Sequence, residues 1–339
     1  MKWKQRLFKI YKWEFWPFWF FYIPVYFYWA YSWIRTRSMF FFSAANPAME
    51  MGGFIDYSKI DIFKKIPGDI LPNMVFISTE KDKENIENIL AIKGLTLPLI
   101  AKPDKGERGK DVAKIKNLDH LKEYLAAAKE QIILQEFITH PLEFGIMYYR
   151  LPNEDRGHIT SVVQKEFLTV CGNGQSTVRE LMRSNQRAAL YEEHVEMSYP
   201  ELLEQVPASG ERKLLEPIGN HCRGTVFRNA NHLINAQLVE VFDNFSKQID
   251  GFYFGRYDIK VPSLEDLYAG KNIILMELNG ANSEPAHIYD PDMDIWTAYT
   301  HLIKHWRILY KISVQNHKRG VHYMSRKVAF PRLVQHYRD

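Results

Sequence analysis

The chain has 339 residues, 46% of them hydrophobic and 25% charged, with only two cysteines, which excludes a disulfide scaffold, a collagen-like repeat and a disordered polyelectrolyte. The net charge of +4 is unevenly spread: residues 1–37 and 304–339 together carry +14, leaving about −10 for the middle. Basic ends on an acidic body argue against a nucleic-acid binder and for a polyanionic surface met by the termini.

The first predicted element is the most deviant. From Phe15 to Ile34 run 20 residues without a charge, 13 of them Phe, Trp or Tyr. That length spans a hydrocarbon core as a helix, yet Pro17 and Pro24 interrupt it, and Trp and Tyr favour the headgroup region. The run lacks the cleavage pattern of a signal peptide and is expected to stay on the mature chain. With five basic residues from Lys2 to Lys12 before it and Arg35 and Arg37 after it, residues 1–37 are expected to attach the protein to something. A monotopic anchor on anionic headgroups is the reading adopted; a full span and an aromatic docking face on the protein itself are the alternatives.

Residues 38–94 read as a small subdomain, with a turn at Met51-Gly52-Gly53 and an amphipathic helix over 81–93 closed by Gly94. From Leu97 strands and helices alternate. Strands are predicted over 97–102, 132–137, 147–151, 159–167, 255–261 and 273–278, and helices over 118–130, 177–187, 231–249 and 295–317. Asn117 or Asp119 caps the second helix, and Thr177 to Glu180 fits a capping box after the Gly172-Asn173-Gly174 turn. The class is α+β or α/β, and residues 321–339 form a basic tail. Cys171 and Cys222 are far apart and in no CxxC motif, so a reducing compartment is expected and zinc is not.

Two stretches carry chemistry. Leu97 to Val112 is a strand ending in Lys102, followed by a basic loop whose Gly106 and Gly109 permit close backbone approach to phosphate oxygens. A solvated turn would read much the same, and the spacing is no Walker sequence. In the second stretch, Arg256 and Asp258 share one strand face and Glu277 and Asn279 another, and a hairpin would bring all four together. Two carboxylates and an amide oxygen suit magnesium, and a neighbouring guanidinium suits a phosphoryl group in flight. An exposed polar hairpin face is the bland alternative. Tyr257, Ile259, Val261, Ile274, Met276 and Leu278 supply core contacts on the opposite face.

Taken together from Leu97 to Pro291, these motifs resemble the ATP-grasp superfamily, in particular its D-alanine–D-alanine ligase and cyanophycin-synthetase-like branches. The resemblance implies two α+β lobes gripping ATP: a first lobe over 95–168 with a hinge at 134–138, and a second over 169–320. Lys102 and Lys165 then bind phosphates, and Lys105, Gly106, Arg108 and Gly109 belong to the loop that closes over them. Gln135, Glu136, Phe137 and Ile138 hold adenine with Met276 beneath it, and Glu143 takes the ribose hydroxyls. Asp258, Glu277 and Asn279 ligate magnesium, as two ions with manganese as a substitute. Arg256 and Lys165 act on the reacting phosphoryl group, and the Gly172 to Leu181 turn is similar to a segment of the cyanophycin-synthetase-like branch.

The activity so implied is ATP-dependent joining of a carboxylate to an amine through an acylphosphate, with a hydroxyl kinase and a membrane-attached nucleotide binder without turnover as alternatives. ATP chemistry places the body at the cytoplasmic face of the membrane, which a single span with its richer basic end inside would not. His221, Arg223 and Arg228, as clamps for a carboxylate, and Ser283 and His287, just past the metal strand, are the candidate substrate residues. The N-terminal region is shorter than the first domain of the alanine ligases, so D-alanine specificity is not expected. The aromatic segment points instead to a lipid-linked or amphiphilic reactant.

Overall fold

Short β-branched and aromatic runs separated by capped helices build two antiparallel sheets. The computed structural model describes residues 2–106 and 109–336. The first sheet has the order β1-β4-β2-β3, from β1 (Met74–Ile77), β2 (Leu99–Pro103), β3 (Ala113–Ile115) and β4 (Ile132–Glu136). Next in the chain come β5 (Leu142–Tyr149) and β6 (His158–Glu166), then a separate ribbon of β7 (Thr169–Cys171) and β8 (Arg212–Leu214). With β9 (Val226–Asn229), β10 (Phe254–Val261) and β11 (Ile274–Asn279), β5 and β6 complete the second sheet, ordered β11-β10-β5-β6-β9. Residues 142–168, expected in the first lobe, thus lie in the second sheet, while β1 of the expected small subdomain joins the first.

Helices cover these sheets. In chain order they are α1 (Lys2–Tyr11), α2 (Phe18–Phe21), α3 (Ile23–Thr36), α4 (Lys59–Phe63), α5 (Glu80–Glu84), α6 (Ile86–Lys93) and α7 (Leu118–Ala127). They continue as α8 (Val178–Ser184), α9 (Glu192–Ser198), α10 (Pro200–Leu203), α11 (Ala236–Lys247), α12 (Leu264–Ala269), α13 (Ile295–Lys318) and α14 (Arg326–His336). Ile86 and Leu90 of α6 and Leu121 and Leu125 of α7 cover the first sheet at Leu99, Ala101, Ile132 and Leu134. The spacing of Leu238, Phe242 and Phe245 makes one face of α11, which meets Tyr148, Tyr257 and Ile259 of the second sheet.

Caps set the boundaries that differ from expectation. The helix expected from 231 begins at Ala236, because the Asn235 side chain accepts from Leu238 N after a 3₁₀ turn at Asn231–Leu233. Asn117 rather than Asp119 caps α7, Thr177 forms its capping box, and the helix expected over 81–93 breaks at Asn85. The basic tail is in part the helix α14, whose Ala329 is buried against the same cluster as Phe40 and Ile312; Tyr337 to Asp339 lie outside the described residues.

The aromatic N-terminal run is not one helix. Proline at position 17 ends the first segment, and Pro24 sits in the first turn of α3, where its missing N–H costs nothing. Among the described residues no helix is long and apolar enough to cross a membrane. One face of the run packs on the body: Phe21, Tyr22 and Val25 are buried against Ile288, Ala298 and Leu302. Trp19, Phe27, Tyr31 and Ile34 are exposed.

Asn46 ties the N-terminal region to β10. Fully buried, its Nδ2 donates to Gly52 O (2.9 Å) and Phe254 O (2.8 Å), and its Oδ1 accepts from the N–H groups of Tyr253 and Phe254 (both 2.9 Å). Nearby, Gly52 and Gly53 take positive φ and lie against Gly280, where an added Cβ would come within 2.7 Å of Gly53 Cα. Replacing Asn46 by Ala strands several buried backbone groups and is expected to cost about 3 kcal/mol of unfolding free energy, measured by urea titration.

Candidate functional site

A cavity of about 450 Å³ opens between the sheets, with walls from β2, β4, β5, β6, β10 and β11. Strand alternation aims Arg256, Asp258 and Lys260 of β10 at it and turns Tyr257, Ile259 and Val261 to the core. In β11, Glu277 pairs opposite Asp258 and Asn279 opposite Arg256, but the register then shifts so that Ile259 faces Leu275. Met276 is the extra residue of this bulge. Strict alternation would send it to the core with Leu278, as the sequence suggests; the bulge instead lets Met276 and Glu277, adjacent in the chain, both line the cavity.

Asp258 is the centre of a charge network. Arg256 Nε and Nη2 donate to its two oxygens at 2.9 and 3.1 Å, Lys165 Nζ stands 3.8 Å from Oδ2, and Asn279 Nδ2 donates to Oδ2 at 3.4 Å. Gly145, across from Asp258 on β5, leaves room for this pair, since a Cβ there would lie 3.1 Å from Asp258 Oδ1. Burial alone would raise the Asp258 carboxyl, but the charges of Arg256 and Lys165 hold it below its usual range. Lys165 Nζ also donates to Glu143 Oε1 at 2.9 Å, and despite burial Asp258 and Glu143 raise its pKa. Lys260 Nζ donates to Ile138 O at 3.0 Å and lies 3.7 Å from Glu143.

On the other wall Lys102 Nζ donates to Gln135 Oε1 (2.8 Å) and to the carbonyl of Met276 (2.9 Å), so the bulge residue bridges the two sheets. Gln135, Phe137, Ile138 and Met276 line the same cavity. Lys59 reaches Gly106 O at 2.6 Å. The loop after β2 is held shut from the opposite side: Arg223 Nη2 donates to Gly109 O (2.8 Å) and Val112 O (3.1 Å).

The expected residues divide as follows. Lys102, Gly106, Gly109, Gln135, Phe137, Ile138, Glu143, Lys165, Arg256, Asp258, Met276, Glu277 and Asn279 all line the cavity, as do His221 and Ser283. Arg108 lies outside the described residues. Glu136 faces away by strand alternation and accepts from Asn73 N, and Lys105 turns outward to Asp56 at 3.1 Å. Arg223 is a loop latch rather than a carboxylate clamp. Arg228 is on the surface with Glu166 and Asp292. His287 is fully buried between Ser161 and His301, and burial pushes its pKa down to about 3, so a neutral ring holds no carboxylate.

Sequence reasoning missed Tyr57, which donates to Asn279 Oδ1 at 3.0 Å, together with Lys59 and Lys260. Alternation along β10 was the available signal for Lys260; Tyr57 and Lys59 carried none. It also missed that Trp13, Glu14, Trp16, Phe18 and Phe21 of the aromatic segment wall one part of this cavity.

Asp258, Glu277 and Asn279 are a hard-oxygen donor set on adjacent strands, which fits magnesium bound largely through phosphate oxygens. No cluster of three or more His, Cys, Asp or Glu able to hold a metal occurs among the described residues.

Residues 45–191 match the family model of the RimK-like ATP-grasp domain. Among solved structures the chain is similar to D-alanine–D-alanine ligase from Bacillus anthracis at 14% identity and TM-score 0.44, over 78% of this chain and 68% of that one. VanG D-Ala:D-Ser ligase from Enterococcus faecalis aligns at 14% and 0.42, over 75% and 61%. A bifunctional glutathione synthetase from Pasteurella multocida aligns at 14% and 0.38, over 73% of this chain but only 36% of its own length. No curated protein sequence matches.

Burial lowers the pKa of Lys102 to about 8, with Glu277 opposing the shift. Its charge is present below that pH and lost above it. Affinity for ADP is therefore expected to fall about tenfold between pH 7 and pH 9 by calorimetry, and Lys102→Arg, which cannot deprotonate, should flatten the profile. A wild-type affinity that stays constant over this range would remove Lys102 from the phosphate site.

Proposed function

We propose that this chain, which belongs to the ATP-grasp superfamily, is an ATP- and magnesium-dependent ligase joining a carboxylate to an amine through an acylphosphate. The supporting observation is the convergence of Lys102, Lys165, Arg256, Asp258, Glu277 and Asn279 on one cavity that Gln135, Phe137, Ile138 and Met276 also line. Three cations for phosphate oxygens and three oxygen donors for a metal exceed what nucleotide storage requires.

In this reading adenine enters between Met276 and the Gln135 to Ile138 edge, and Lys102 and Lys165 neutralise phosphate oxygens. Arg256 exchanges part of its contact with Asp258 for the phosphoryl group in flight. Asp258, Glu277 and Asn279 would hold magnesium, which would neutralise the remaining phosphate charge. A carboxylate oxygen takes the γ-phosphoryl group as the β–γ bridging bond breaks and ADP leaves. The amine lone pair then attacks the acyl carbon, the carbon–oxygen bond to phosphate breaks, inorganic phosphate departs, and the new nitrogen loses a proton to solvent. Arg223, bonded to the Gly109 and Val112 carbonyls, helps keep water from the acylphosphate.

Expected results are hydroxamate formation when the enzyme, MgATP and a membrane-lipid extract are incubated with hydroxylamine, and a drop of about 100-fold in ADP production for Glu277→Gln with unchanged near-UV circular dichroism. Phosphorus retained as a stable ester in ³¹P NMR would favour the hydroxyl kinase, and nucleotide binding without ADP release the non-turnover binder.

We place the protein on an anionic membrane surface at the cytoplasmic face. The exposed Trp3, Ile10, Tyr11, Trp19, Phe27 and Ile34 and the neighbouring Lys9, Lys12, Arg35 and Arg37 support a helix bed lying in the headgroup layer. Co-sedimentation with phosphatidylglycerol vesicles is expected, weakened at least tenfold by Trp19→Ser with Phe27→Ser or by neutral phosphatidylcholine. Equal partitioning of the variant would overturn the placement.

A further inference from the structure

The aromatic segment does more than lie on the surface, because part of it forms the wall of the reaction cavity. Trp13, Trp16, Phe18 and Phe21 line it together with Tyr289, and the carboxylates of Glu14 and Glu284 stand among these rings. Glu284 accepts from the hydroxyls of Tyr22 and Tyr289, and it is close enough to Arg256 to act on that guanidinium's charge. The ring-walled part of the cavity therefore adjoins the reacting centre.

Glu14 is the unusual member. It is only 8% exposed and both of its ion-pair partners share one oxygen: Arg187 Nη1 at 2.9 Å and His221 Nε2 at 3.1 Å from Oε2. Its Oε1 is buried with no hydrogen-bond partner, one of three such side-chain atoms among the described residues. A buried carboxylate oxygen left unpaired is costly, and such groups in folded proteins are normally satisfied by protein, water or ligand. Although burial opposes ionisation, the hydrogen bond from His221 and the charge of Arg187 keep the Glu14 carboxyl below its usual range, so the oxygen is an anionic acceptor. An anionic acceptor on a cavity wall that also carries Trp13 and Trp16 is suited to an ammonium, which donates to the carboxylate and is attracted to an indole face.

We infer that Glu14 and the rings of Trp13 and Trp16 form the subsite for the amine reactant, and that this reactant is a primary amine carried on an apolar or aromatic body. The inference rests on the ligase reading and gives it a substrate class. The subsite belongs to the segment that also carries the exposed Trp19, Phe27 and Ile34. The acyl carbon then meets the amine next to Glu284 and Arg256.

The test uses the full-length protein with MgADP bound and three probes of one shape: 2-phenylethylamine, 2-phenylethanol and 3-phenylpropionate. Calorimetry is expected to show the amine binding at least tenfold tighter than either other probe. Glu14→Gln should abolish that preference while leaving MgADP affinity within twofold. Arg187→Gln removes the Oε2 anchor and spares Oε1, so it should retain the preference. Parallel loss of the preference in Glu14→Gln and Arg187→Gln would make Glu14 a strut for the segment and overturn the inference, as would equal binding of the three probes to the wild type. If Glu14→Gln releases residues 1–37 to limited proteolysis, Trp16→Leu decides: a drop of at least threefold in the amine-to-alcohol ratio supports the subsite, and an unchanged ratio overturns it. Failure of MgADP to bind would count against the ligase reading itself, whereas MgADP binding without amine preference removes the subsite alone.

Discussion

A carboxylate buried without compensation costs several kcal/mol, and the second sheet is arranged around preventing that at Asp258. Arg256 two residues away on the same strand face, Lys165 from β6, and the gap left by Gly145 on β5 together supply the compensation. Each of these depends on register: a one-residue slip of β5 or β10 would point the ions into the cluster around Tyr257 and Phe242. The core thus enforces the site, because only one pairing keeps both the apolar face dry and the charges paired. The same balance leaves Arg256 and Lys165 held beside Asp258 at the cavity wall.

The two sheets meet through both apolar and polar contacts. Ile133, with Met74 and Phe76 beside it, joins the cluster of Phe144, Ile146 and Tyr257 from the second sheet. Lys102 spans from β2 to the Met276 carbonyl, Arg223 spans from the second half of the chain to the Gly109 carbonyl, and Lys59 reaches Gly106 from the N-terminal region. These three are hydrogen bonds from a cation to a backbone oxygen, and they fix direction where the shared apolar cluster supplies only cohesion.

Much of this is legible in the residues before any coordinates. The polar face of β10 follows from its alternation, and Asp258 opposite Glu277 follows once β10 and β11 are read as a hairpin joined by α12. Lys102 follows from its place at the end of a strand before a glycine loop. What cannot be read locally is where a charged side chain goes when two partners compete: Arg223 and Arg228 look alike in sequence, yet one latches a loop and the other sits among surface acids. His287 is similar, since only tertiary packing against α13 reveals that its ring is enclosed. The aromatic run presents the same difficulty at larger scale. Its composition announces attachment, but composition carries no hint that the inner face of the segment closes a cavity whose other walls run from Tyr57 to Tyr289.

The bulge at Met276 decides how the chain tolerates changes in length. Because it reverses parity within β11, the thioether and the acid beside it are both presented inward by adjoining positions, a result no unbroken zigzag can give. Additions to the linker holding α12 leave that phase intact and should accumulate freely among relatives. Loss of a single codon inside β11, by contrast, restores the zigzag and forces a choice between Met276 and Glu277 at the cavity, so the strand is expected to drift by substitution and never by indel.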